Sequence, residues 1–181
     1  MLALIGLFIA LPSLSLADCS VTGSQILSFY VVSDTNNWVL GPSKPNGGAA
    51  VQVTEIPPWL SRIPGATIIW DSPTVTNPGI DQTCFFVNEF FIQGTPISGT
   101  YQLAVDNRMW TSINGQSVNC DLLNLSDPNS PPKTCDVTSF LRTGLNVIQI
   151  SATNDAQPGG SAKSNPAGVL YKLSIKSKIP A

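Results

Sequence analysis

The sequence predicts an all-β domain: an antiparallel two-sheet jelly-roll sandwich of about eight strands. Three observations carry this prediction. Apolar spacing of 3.6 residues is nearly absent, so no amphipathic helix of ordinary length can be drawn. Short runs of β-branched and aromatic residues recur instead, separated by clusters of Gly, Pro, Asn and Asp that favour turns. The whole chain is 181 residues, of which 43% are hydrophobic, enough for one sizeable core and hardly for two.

Taken in order, residues 1–17, MLALIGLFIALPSLSLA, form an apolar run broken by Pro12 and ending in small residues. This is the pattern of a secretory signal peptide cleaved after Ala17, leaving 18–181 as a single sandwich domain. Seventeen residues interrupted by proline are short for a bilayer span, so no stable membrane span is expected. The strand runs are then 24–33, 49–54, 66–71, 82–93, 99–105, 108–114, 145–153 and 168–177, with one helical turn near 138–142.

In the run 82–93, Phe86, Phe90 and Ile92 share one face and Phe85, Val87 and Phe91 the other, because side chains alternate along a strand. Both faces are apolar where a sandwich needs only one. Either the loop 119–135 covers the outer face, or that face is a contact surface. Glu89, within the same run, is read as pointing outward.

The stretch 101–118, YQLAVDNRMWTSINGQSV, joins two runs through Asp106, Asn107 and Arg108. Asp and Asn bond their own backbone and tolerate turn conformations, so this triplet is read as a strand connection and not as a chemical site. Asn114-Gly115 is the stronger turn signal, since both residues readily adopt the dihedrals of a tight hairpin.

Composition excludes several functions. Charged residues are 11% of the chain, against roughly 25% in an average globular protein, and the net charge is −2. Without clustered Lys and Arg, no nucleic acid is expected as a partner. The chain has no histidine, which removes Ser-His and Cys-His catalysis and the commonest metal ligand. No catalytic residue, metal or cofactor is expected, and the protein is read as a non-enzyme.

Four cysteines stand at 19, 84, 120 and 135, none in a Cys-x-x-Cys pair. In a secreted chain they point to disulfides, with three pairings possible. Cys120 with Cys135 is favoured because it would close the proline-rich loop between them, leaving Cys19 with Cys84 either within a chain or between chains. Asn124-Leu-Ser126 in that loop is a candidate N-glycosylation site.

Sugar recognition combines exposed aromatics with planar polar side chains, and the candidates are Trp38, Asn37, Trp59 and Arg108. Trp110, beside Arg108, is a further aromatic candidate with a core role as its default reading, and Trp70 is read as core. A candidate assembly surface comprises Ile26, Phe29 and Val31 on the first strand, with Phe85 and Phe91 on the aromatic strand.

The succession FFVNEFFI, YQLAVDNRMWTSINGQSV, CDVTSFLRTGLNVIQISATN and NPAGVLYKLSI resembles the second half of galactose-binding-domain-like jelly rolls. These occur as accessory modules of glycoside hydrolases and in bacterial surface proteins. The resemblance places Ile113-Asn114-Gly115 at a turn. It places Asp136, Val137, Thr138, Leu141, Gly144, Asn146, Ile148, Ile150 and Asn154 at a strand entrance and a core strand. It implies a secreted or surface-exposed binding module with extracellular glycans as partners.

Two functions follow from these readings. The first is a structural subunit of an extracellular fibre or homo-oligomer, held together by strand and surface contacts. The alternative is a lectin-like carbohydrate-binding module. The sequence puts assembly first, because an unattached module needs a role of its own and the strand 85–92 is apolar on both faces.

Overall fold

A computed structural model describes residues 23–54, 62–122 and 131–180. In chain order the strands are β1 (Gln25–Val32), β2 (Trp38–Gly41), β3 (Lys44–Ala49), β4 (Val51–Gln52), β5 (Ile69–Trp70) and β6 (Gln82–Ile92). They continue as β7 (Thr95–Asp106), β8 (Arg108–Ile113), β9 (Gln116–Ser117), β10 (Lys133–Asp136), β11 (Gly144–Asn154) and β12 (Gly168–Ile179). The helical turn read near 138–142 is a single 3-10 turn at Thr138–Phe140.

The strands form two antiparallel sheets. Sheet A runs β10-β7-β12-β5-β4, with β1 also pairing β12; sheet B runs β3-β2-β6-β11-β8-β9. Successive strands β5, β6, β7 and β8 alternate between the sheets, as do β11 and β12. This switching is the jelly-roll pattern, and the inner faces of the two sheets make one core.

Period-two alternation decides what fills that core. From sheet B come Phe86, Ile92, Ile148 and Ile150; from sheet A come Tyr101, Leu103, Val105, Tyr171 and Leu173, all buried. Trp70 packs tilted against Phe86 at 5.8 Å between ring centroids, and Tyr101 meets Tyr171 edge-on at 5.7 Å. Such aromatic pairs add roughly 0.5–1.5 kcal/mol beyond the area they bury.

Asparagines fix the ends of this core. Asn114 and Gly115 both take positive φ, 53° and 77°, in a two-residue turn that puts Ile113 opposite Gln116. The Asn114 amide then donates to Phe140 O at 2.9 Å and to Asn146 Oδ1 at 2.8 Å. Asn146 donates in turn to Arg142 O and Gly144 O, so the β8–β9 hairpin is tied to the entrance of β11. That entrance is also held at Asp136, whose carboxylate accepts from Thr138 N and Thr138 Oγ1. Those two donors hold the Asp136 carboxyl below the usual carboxylate range.

Three sequence expectations change here. There are twelve strands among the described residues, not about eight, because β2, β3, β9 and β10 lie in Gly-, Pro- and polar-rich stretches. Phe29 and Val31, expected on an assembly surface, are half-buried and pack against the core, while Ile26 faces out. The described ends of the loop 119–135, at 119–122 and 131–135, are anchored at the side of the sandwich and not at β6. Leu122 bridges to Met109 on β8, and β10 pairs with β7 at the edge of sheet A. Cys120 and Cys135 are joined by a disulfide, Cα–Cα 6.1 Å, that staples these two edges.

Candidate functional site

The outer face of sheet B holds the site, and register places its residues. Phe85 of β6 stands opposite Ser151 of β11, which stands opposite Trp110 of β8. The adjacent row reads Trp38, Val87, Gln149 and Ser112 across β2, β6, β11 and β8. Neighbouring strands are about 4.8 Å apart, so Phe85 and Trp110 are roughly 10 Å apart at the backbone, with Ser151 between them.

Between the two rings lies an open depression of about 360 Å³. Its walls are Phe85 and Trp110, and its polar groups are Ser112, Ser117, Gln149 and Ser151. No charged side chain lines it. Phe85 is 50% exposed and Trp110 41%. Ser112 Oγ donates to Gln149 Oε1 at 3.2 Å, which orients the amide and leaves its N–H donors for another acceptor.

Trp110 was assigned to the core from sequence, and the structure corrects this. The inward set on β8 is Met109, Thr111 and Ile113, all buried, so alternation turns Trp110 outward. The signal was present: two apolar residues at 109 and 113 fix the phase of the strand.

Trp38 continues the platform one strand beyond β6 and is 42% exposed. A Cβ at Gly47 would lie 1.9 Å from Cζ2 of this indole, so the ring lies over the glycine backbone of β3. Gly47 also has φ 73°, which favours glycine independently. One face of the indole is thus packed down by β3.

The other residues expected at a sugar site are placed elsewhere. Asn37 is buried, its amide donating to Asp34 Oδ1 at 3.0 Å and to Val32 O at 3.3 Å. Its carbonyl accepts from the Tyr171 hydroxyl, which accepts in turn from Asn88 at 2.9 Å. Asn37 is therefore an internal brace that no ligand reaches. Arg108 shares the face with Trp110, but its guanidinium is occupied by Asp155, through Nε at 2.6 Å, and by Asp81 at 3.3 Å. Phe91 is exposed beside Leu145, away from the depression, and Glu89 points outward as read. Trp59, Asn124 and Cys19 lie outside the described residues, as do residues 1–17, where a signal peptide is expected. Cys84 is a buried thiol beside Asp71, and burial, with Asp71 second, pushes it well above the usual thiol range.

The triplet at 106–108 is a strand connection, with Asn107 alone between β7 and β8. Its side chains do more than turn the chain. Asn107 Oδ1 accepts from Asp155 N at 2.6 Å, and Arg108 holds Asp155 and Asp81. Asp106 is 2% exposed, and burial, reinforced by the Asp155 charge, pushes its carboxyl up to about 8. A carboxyl so enclosed keeps its proton at neutral pH but has no access to a substrate.

No group of three or more His, Cys, Asp or Glu that could hold a metal ion occurs among the described residues. No helix among them is long and apolar enough to cross a membrane.

No protein-family model and no curated protein matches this chain. Solved structures similar to it include an FMN-binding beta-glucuronidase from Faecalibacterium prausnitzii L2-6, at 13% identity and TM-score 0.49. The match covers 83% of this chain and 23% of that one. A glycosyl hydrolase family 2 member from Bacteroides cellulosilyticus matches at 13% identity and TM-score 0.49, over 81% of this chain and 20% of that one. A family 35 carbohydrate-binding module from Clostridium thermocellum matches at 12% identity and TM-score 0.39, over 80% of this chain and 97% of the module. The chain thus spans about a quarter or less of these two glycosidases and nearly the whole of the module.

Proposed function

We propose that this protein is a secreted, non-catalytic carbohydrate-binding domain that takes a neutral glycan on the outer face of sheet B. The observation that carries the reading is the uncharged depression between Phe85 and Trp110. The C–H face of a pyranose is apolar and slightly positive, and aromatic faces carry negative quadrupole density, so sugars stack on exposed rings. Gln149, Ser112 and Ser151 supply short donors and acceptors for the ring hydroxyls. The absence of charge from the lining favours a neutral sugar, because an anionic one would be desolvated there without a partner.

The assembly reading loses its main support. β1 is hydrogen-bonded along its length to β12 of its own chain, so its edge is already satisfied on that side. Phe85 belongs to the depression, and its exposure has a use that needs no second copy.

Affinity electrophoresis and pull-down with neutral polysaccharides test the proposal. Trp110→Ala and Phe85→Ala should each weaken binding about tenfold or more, roughly 1.4 kcal/mol, while Phe91→Ala should leave it unchanged. Uniform absence of binding across a glycan array would overturn it.

A further inference from the structure

The outer face of sheet A carries a different surface. The outward positions of β12 are Lys172, Ser174, Lys176 and Lys178. Three of the nine basic residues of an acidic chain therefore stand on one side of one strand. Beside them Ser28 and Tyr30 of β1 face out opposite Lys176 and Ser174, and Ser98 and Thr100 of β7 do so from the other side. These groups line a shallow depression of about 290 Å³ that contains Lys172, Lys176, four hydroxyl side chains, the Tyr30 ring, Phe29 and Ile175, and no carboxylate.

Lys172 is not a freely solvated lysine. Its ammonium donates to Pro64 O at 3.1 Å and sits 4.5 Å from the centre of the Tyr30 ring. One of its three donors is used, and the aromatic face holds the rest of the group in place. Part of the entropy that a lysine loses on binding an anion is thus already spent in the free protein. No ion pair is recorded for Lys176 or Lys178 among the described residues. The nearest acidic strand position, Asp136 opposite Thr100, is occupied by Thr138.

Spacing defines the ligand further. Lys172 and Lys176 are four strand residues apart, roughly 13 Å, and Lys178 extends the line by roughly 7 Å more. A single small anion cannot reach all three, whereas a polymer with negative groups at intervals can. The hydroxyls between the lysines suit sugar hydroxyls, and the Phe29 and Ile175 side chains beneath them can meet the C–H face of a sugar ring.

We propose that the outer face of sheet A is a second binding site, for a linear acidic polysaccharide running along β12, with its carboxylate or sulfate groups on Lys172, Lys176 and Lys178. The site is independent of the neutral depression on sheet B. The two faces point away from each other, so one molecule can hold both polymers at once.

Affinity electrophoresis of the intact protein in gels containing polygalacturonate, dextran sulfate or uncharged dextran tests this. Retardation is expected with polygalacturonate or dextran sulfate, not with dextran, and it should weaken as salt rises, because the attraction is between screened charges. Which of the two retards more identifies carboxylate or sulfate as the favoured group. The double variant Lys176→Gln/Lys178→Gln should lose about tenfold or more in affinity. Tyr30→Ala, which keeps every charge but unseats Lys172, should lose about threefold. Trp110→Ala should leave retardation by either polyanion unchanged, which separates this site from the neutral one. Retardation by neither polyanion would overturn the proposal, as would retention that survives the double lysine change. Binding to phosphatidylserine vesicles without binding to either polyanion would overturn it in favour of a membrane surface.

Discussion

On β6 the outward positions hold Phe85, Val87, Glu89 and Phe91; on β12 they hold Lys172, Ser174, Lys176 and Lys178. The inward positions of the same two strands are alike: Cys84, Phe86 and Ile92 on one, Tyr171, Leu173 and Ile175 on the other, all buried in one core. Stability constrains the inward set to be apolar and closely packed. It leaves the outward set almost free, so the contrast between an aromatic face and a lysine-hydroxyl face is where function is written. The charges also separate along β12. Its first residue, Gly168, lies opposite Asp106, near Asp155, Asp81 and Arg108, and its lysines run toward the other end.

The largest expected effect would break the contrast if it failed. Phe86→Ala should cost about 3–5 kcal/mol in denaturant unfolding, whereas Phe85→Ala next to it should cost under about 1 kcal/mol. Equal costs would mean that the outer face of sheet B is covered core. Lys176→Gln on sheet A should stay within about 0.5 kcal/mol.

Asp106 sharpens the view of charge along β12. Its carboxyl titrates near 8 when folded and near the usual carboxylate value when unfolded. The folded state therefore binds more protons between those values. This residue contributes stability that is complete at low pH and is lost as pH rises from about 4 toward 8. Asp106→Asn should remove on the order of 3 kcal/mol of that decline, measured by unfolding from pH 4 to pH 7.5. A variant whose pH profile matched the parent would show that Asp106 is already ionised in the fold.

The disulfide joins the edges of the two faces. Cys120→Ser/Cys135→Ser should cost about 3 kcal/mol, since it frees a loop of about 15 residues in the unfolded chain. Unfolding midpoints in denaturant check this. A smaller effect than the disulfide's is expected at Gly47. Gly47→Ala should cost about 1 kcal/mol or somewhat more, from positive φ and the clash with Trp38. The same change should also shift the Trp38 fluorescence, leaving the lysine face untouched.

Much of this architecture was legible because β-branched and aromatic runs mark strands that bury one face. Asn114-Gly115 gave its turn, and the alternation of 85–92 gave both faces of β6. What escaped were elements held by partners and not by their own residues. β3, Lys-Pro-Asn-Gly-Gly-Ala, has little strand propensity and is held by pairing with β2 and by the Trp38 indole over Gly47. β10 is four residues fixed by β7 and the disulfide. At the site, the core is the default for Trp110 as an aromatic on a strand beside a tight turn, and only the phase set by Met109 and Ile113 turns it outward. Asn37 was misread because a brace and a sugar ligand use the same amide, and only burial separates them. Alternation alone puts the lysines of β12 on one face, but which strands flank them, β1 and β7, depends on pairing that one strand cannot declare.

The pairing of β1 with β12 sets how the domain answers to tension. Gln25 lies opposite Ile179, and the rungs proceed inward from there to Val32 opposite Lys172. A pull that separates the two ends of the domain falls first on the outermost rung and then on each in turn, peeling the strands apart. Loads carried in this way are resisted by one or two hydrogen bonds at a time, and not by all of them in shear. The β1–β12 pair is therefore mechanically soft at its Gln25–Ile179 end.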